Sequence, residues 1–171
     1  MLDYNKQKIS TNINKLDENQ LWGFGLRTNT LKKTILWGGL SGILISLLLF
    51  PYKIVFYSND IPVDIIRYVQ LRRDNPLFFF FIVIIFAPFL EEVIFRGFVY
   101  RFLRKRYNIY WGYFGSTALF TIAHGFRSSI ILSVIMSLIL THTYEKTKLL
   151  GTSVIAHSLG NLTWCIAIYA S

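Results

Sequence analysis

Apolar residues in this chain come in long unbroken runs, not at the alternating or every-third-or-fourth spacing of a half-buried strand or helix. Stretches without Asp, Glu, Lys or Arg are Thr34–Tyr52, Asn75–Leu90, Tyr107–Phe126, Ser128–Tyr144 and Leu149–Ser171. Each is close to the roughly 20 residues a helix needs to cross about 30 Å of hydrocarbon, although two run short. The pattern predicts an all-α, polytopic membrane protein of about five transmembrane helices. Residues 1–33 form a polar segment in which Trp22 and Phe24 are suited to the headgroup layer. Residues 34–52 form the first membrane helix. The connection over 53–76 carries Ile65, Ile66 and Val69 at helical spacing, with Pro62 placed to open an amphipathic surface helix and Pro76 to end it. Residues 77–171 hold four further helices as a core. The first of these, from Leu77 through Arg104, would be ~40 Å long, so its basic end emerges from the bilayer while Glu91 and Glu92 stay near mid-membrane.

Composition agrees: of 171 residues 53% are hydrophobic and 16% charged, which argues against a soluble globular domain. Basic residues orient the spans, because Lys and Arg near helix ends are retained on the cytoplasmic side. With the N-terminus inside, thirteen Lys and Arg fall in cytoplasmic segments and five outside. The net charge of +9 flanks hydrophobic runs and has no domain of its own to present it, so the expected partner is anionic lipid and not nucleic acid. No cleavable signal sequence opens the chain, and Thr34–Tyr52 is expected to stay as a helix. Cys165 is the only cysteine, which excludes disulfide frameworks and cysteine-built metal sites.

The residues that do not belong in hydrocarbon carry the chemistry. "FLEEVIFRGF" places Glu91, Glu92 and Arg96 directly after "PLFFFFIVIIFAP". An ionisable side chain at mid-bilayer costs about 2.5–3.5 kcal/mol on insertion scales, so such groups face the bundle interior and find partners there. Glu92 and Arg96 are four apart with the carboxylate first, the favourable order for an intrahelical ion pair. Glu91 points about 100° away, and its partner must come from another helix. "FTIAHG" supplies His124 in the third span, and "AHSLGN" supplies His157 and Asn161 on one face of the fifth. If the second and third spans turn near Asn108, Glu91 lies 17 residues before the turn and His124 lies 16 after it, which is the same depth. His157 reaches that depth only if helix tilt absorbs several ångström. His142 reads as interfacial. Ser116, Ser133, Ser137 and Ser158 read as small residues that let helices approach closely.

One unpaired carboxylate with two imidazoles and an amide suits activation of water against a peptide carbonyl: Glu91 takes the proton, and imidazole and amide donate to the oxyanion. The same residues also allow a catalytic zinc on Glu91, His124 and His157 with water as fourth ligand. The ordered motifs Glu-Glu-x-x-x-Arg, Phe-x-x-x-His and His-x-x-x-Asn resemble those of the CAAX-processing and bacteriocin-processing (CPBP, or Abi) family of intramembrane glutamic endopeptidases. Glu91, Glu92, Arg96, Phe120, His124, His157 and Asn161 match them, and the likeness covers Leu77 to the C-terminus. The resemblance implies that Glu91 activates water with the help of His124, that Glu92 and Arg96 brace the site, and that His157 and Asn161 line an oxyanion pocket. It implies no required metal, a membrane-associated peptide or protein substrate, and a role in peptide maturation or bacteriocin self-immunity at a bacterial plasma membrane. A bacteriocin immunity protein that acts by binding alone, and a small ion or proton carrier, are the competing readings.

Overall fold

In the computed structural model the described residues are 28–56, 73–124 and 130–169, and they form five helices. These are α1 (Thr28–Phe56), α2 (Pro76–Arg106), α3 (Ile109–Ala123), α4 (Ile130–Thr147) and α5 (Leu150–Tyr169). Among the described residues there is no strand. The Trp22/Phe24 anchor and the amphipathic surface helix expected before Pro76 lie outside the described residues, apart from a helical pair at 73–74.

Two helices are long and apolar enough to cross a membrane by length and composition: Thr30–Pro51 of α1, with mean hydropathy 1.8, and Pro76–Arg106, with mean hydropathy 2.4. Only 22% and 17% of those windows are buried against the rest of the chain. Leu36, Leu40, Ile43 and Leu47 of α1 and Leu77, Phe81, Ile85 and Phe98 of α2 therefore face outwards. In water such continuous apolar faces would promote aggregation, but in a bilayer they are matched to the lipid tails. The interior is the more polar side. Thr34, Glu92, Arg96, Ser116, Ser137, Thr141, Thr152, Ser153 and His157 are all buried there.

Local sequence explains the helix ends. Pro76 stands at the first turn of α2, where its missing N–H is no loss, and the Asn75 side chain accepts from Phe78 N. Pro76 thus opens α2, and the helical pair at 73–74 stops just before it. The turn between α2 and α3 falls at Asn108, as the spacing predicts, and its side chain caps α3 by accepting from Trp111 N at 3.0 Å.

The first membrane helix is more closely joined to the core than a four-helix unit preceded by a separate span would suggest. Glycines let α1 and α5 touch: a Cβ on Gly42 would lie 2.5 Å from Leu159 Cδ1, and one on Gly160 would lie 2.8 Å from Ile45 Cγ2. Hydrogen bonds from Thr143 to Ser41 and from Thr163 to Ser46, both 2.7 Å, fasten α1 to α4 and α5.

The long helix α2 is not uniform. α-helical Pro76–Phe80 gives way to a π-helical stretch, Phe81–Phe86, then to α-helical Ala87–Glu92, a second π stretch, Val93–Tyr100, and α-helical Arg101–Arg106. Pro88 accounts for the first widening. Its ring has no N–H and crowds the carbonyl four residues back, and an extra residue in the preceding turn relieves this. Glu91 and Glu92 occupy the short α-helical segment between the two π stretches.

Candidate functional site

Three helices bring the predicted residues to one place. α2 carries Glu91, Glu92 and Arg96; α3 ends at His124; α5 supplies His157 and Asn161. The two glutamates separate by the rotation of one helical residue. Glu92 turns fully inward, and Glu91, 29% exposed, faces His124 at the end of α3.

Glu92 and Arg96 are both 0% exposed, and Arg96 Nη1 donates to Glu92 Oε1 at 2.8 Å. The other guanidinium nitrogen, Nη2, donates to the backbone oxygen and to Oγ of Ser137 on α4, each at 3.0 Å. Ser137 Oγ in turn donates to Thr117 Oγ1 at 3.2 Å. The guanidinium also lies 4.8 Å from the ring centroid of Phe120, a residue with no exposed surface. A buried cation is thereby held by a carboxylate, a carbonyl, a hydroxyl and an aromatic face, as a charge in a low-dielectric interior requires.

His157 joins this buried network to the open side. Its Nδ1 is 2.8 Å from Glu92 Oε1, and its Nε2 is 3.6 Å from Glu91 Oε2. Because Glu92 is the acceptor, Nδ1 carries the hydrogen, and Nε2 faces Glu91 with its lone pair or a second proton. His124 repeats the arrangement. Its Nδ1 is 2.9 Å from the carbonyl of Phe120, which only accepts, and its Nε2 is 3.4 Å from the same Glu91 Oε2. The His124 ring stacks on Phe120 at 4.1 Å. Glu91 Oε2 is buried and makes no hydrogen bond within the described protein, while the Glu91 side chain as a whole keeps 29% exposure and that of His124 32%.

His124 Nε2 and His157 Nε2 therefore both lie within 3.6 Å of one Glu91 oxygen, so the fifth span does bring His157 to the depth of the other two. Asn161 Nδ2 donates to the backbone oxygen of Val83 in the first π stretch at 2.9 Å, which ties one amide hydrogen to the scaffold of α2 and leaves the other uncommitted by this bond. His142 is exposed, with Nδ1 3.2 Å from Tyr113 Oη, apart from the cluster. Ser137 was read as a residue of close approach only; it is a direct partner of Arg96. The signal for it is physical: a guanidinium in hydrocarbon has more donors than one carboxylate can accept, and a serine facing it from the next span is the cheapest further acceptor.

Residues 73–163, just over half of the chain, match the family described as type II CAAX prenyl endopeptidase, Rce1-like. The chain belongs to the Rce1-like family. No curated protein and no solved structure matches it. The matched Rce1-like segment takes in all six candidate residues, from Glu91 to Asn161, and leaves out α1. At the level of the family this is a CAAX-type intramembrane protease, and two helices of the Rce1-like chain are long and apolar enough to span a membrane.

Proposed function

We propose that the protein is an intramembrane endopeptidase that hydrolyses a peptide bond in a membrane-associated peptide or protein, with Glu91 activating the attacking water. The observation that carries this is the convergence of two Nδ1-anchored imidazoles, through their Nε2 atoms at 3.4 and 3.6 Å, on one oxygen of the partly exposed Glu91 carboxylate. Glu91 accepts a proton from water as the oxygen bonds to the peptide carbonyl carbon. A ring nitrogen bearing hydrogen, on His124 or His157, donates to the carbonyl oxygen as it becomes negative. The proton held by Glu91 then passes to the departing amine, so the peptide C–N bond breaks with charge balanced. Glu92, Arg96, Ser137 and Phe120 hold His157 and His124 in place.

We favour activated water over zinc on Glu91, His124 and His157, and metal analysis of the purified protein decides between them. The biological settings that fit are peptide maturation and bacteriocin self-immunity in a bacterial plasma membrane rich in anionic lipid, with the N-terminus cytoplasmic. The family's name points to prenylated C-terminal peptides, and unprenylated peptides are the alternative substrates.

The test is purification in detergent, metal analysis of that sample, and mass spectrometry of prenylated and unprenylated peptides incubated with wild type and Glu91→Ala. Cleavage by wild type alone, in a sample without stoichiometric metal, is the expected result. Metal at unit stoichiometry that disappears in His124→Ala would favour zinc. Protection against a bacteriocin that persists undiminished in Glu91→Ala would favour an immunity protein acting by binding.

A further inference from the structure

We propose that Asn161 is a positioning residue, whatever its second amide hydrogen meets: one hydrogen of its amide replaces the backbone N–H that Pro88 removes from the helix carrying Glu91. This deepens the endopeptidase reading and rests on it for its consequence, though not for its geometry. The first π stretch of α2 closes with a bond that reaches five residues back, from Ala87 N to Ile82 O. The next carbonyl in that register is Val83, and its donor would be residue 88. Residue 88 is proline and has no N–H. Ala87, which would serve Val83 in an ordinary α-helix, is already committed to Ile82. Val83 O is left as an acceptor that the helix itself does not satisfy, in a helix where no bulk water is available to do so. Asn161 Nδ2 donates to it at 2.9 Å from α5.

The consequence reaches the pocket. Asn161 stands four residues beyond His157 on the same face of α5, so two side chains of one helix grip α2 on either side of Pro88: His157 at Glu92 and Asn161 at Val83. Glu91 lies between the two grips. The distance from Glu91 Oε2 to His157 Nε2, 3.6 Å, depends on the widened turn before Pro88 whose remaining carbonyl Asn161 ties down. A pocket that depends on ångström-scale approach of two imidazoles is sensitive to release of that tie.

Pro88 makes the idea separable from an oxyanion role. Pro88→Ala returns an N–H to position 88, which gives Val83 O a donor within its own helix. Removal of the amide should then matter less. The experiment measures unfolding midpoint and peptide cleavage in the same detergent for Asn161→Ala, Pro88→Ala and the double variant. Asn161→Ala alone is expected to lower the midpoint by about 2–4 °C or more and to reduce cleavage. In the Pro88→Ala background the same substitution is expected to shift the midpoint by less than half as much, with cleavage less reduced. Equal losses in both backgrounds would overturn the proposal and return Asn161 to direct contact with substrate. Should Pro88→Ala fail to accumulate, hydrogen–deuterium exchange across Phe81–Phe89 decides instead. Faster exchange in Asn161→Ala than in wild type supports the tie, and unchanged exchange with lost cleavage overturns it. The midpoint and exchange readouts do not depend on turnover, so the proposal and the endopeptidase reading can fail separately: absence of cleavage by wild type would defeat only the latter.

Discussion

The carboxylate of Glu92 has no exposed surface and lies 2.8 Å from both Arg96 and His157, whereas that of Glu91, one residue earlier, keeps 29% exposure and has two imidazole nitrogens at 3.4 and 3.6 Å. A single helical step separates a fully buried charge, ion-paired within its own helix, from a partly exposed one that has only imidazoles beside it. The difference shows how a membrane protein can hold a reactive carboxylate at all. Charge in hydrocarbon is tolerated where it is paired, and the buried network of Glu92, Arg96, Ser137 and Phe120 then fixes the ring that faces Glu91. Stability should reside on one side of this divide and chemistry on the other.

The strongest break on the buried side is Arg96→Met, which strands the Glu92 carboxylate without its cation. It is expected to cost about 3–5 kcal/mol in reversible unfolding from detergent micelles, and Glu92→Leu added to it should recover part of that loss. His157→Phe cuts the bridge between the two sides, so it alone among these variants should harm both: cleavage falls by about 100-fold or more and stability by about 1–3 kcal/mol. Ser137→Ala sharpens the comparison on a smaller scale. The guanidinium keeps the Ser137 carbonyl and loses only the hydroxyl, so about 1 kcal/mol of stability is expected to go with little change in cleavage rate per folded molecule.

The smallest effect belongs to a third carboxylate that lies outside both spans. Glu145, at the end of α4, is met by Lys148, by the Tyr100 hydroxyl, and by Arg104 at 3.0 Å. Burial alone would raise its carboxyl, but the hydrogen bonds and charges of Lys148, Tyr100 and Arg104 together hold it below the usual carboxylate range. A depressed native value contributes stability that is present above the ordinary carboxylate range and fades as pH falls through the native one. The midpoint difference between wild type and Glu145→Gln should therefore be widest near neutral pH and should close on acidification. A difference that widened towards low pH would contradict the assignment.

Much of this was legible in the chain. Runs without charge located the helices, because hydrocarbon admits little else. The i,i+4 spacing of Glu92 and Arg96 gave their pair, and the equal counts from Asn108 gave the meeting of Glu91 with His124. What stayed hidden depended on geometry that sequence spacing does not carry. Glu92 accepts from His157 as well as Arg96, which no one-helix argument can anticipate. Ser137 looked like a spacer because a hydroxyl among apolar residues is equally compatible with close packing. That Asn161 shares a face with His157 was plain, but not that the widened turn before Pro88 presents its amide with a backbone carbonyl. The close seat of α1 on α5 was visible in principle, since Gly38 and Gly42 are four apart and leave a groove one side chain wide.

The division of labour between the two neighbouring glutamates is tested most directly by one paired measurement: peptide cleavage rate and unfolding midpoint, on the same preparations, for Glu91→Gln and Glu92→Gln. Glu91→Gln should lower cleavage by about 100- to 10,000-fold with the midpoint within a few degrees of wild type, while Glu92→Gln should lower the midpoint markedly. Cleavage retained in Glu91→Gln, or a midpoint that falls as far in Glu91→Gln as in Glu92→Gln, would contradict it.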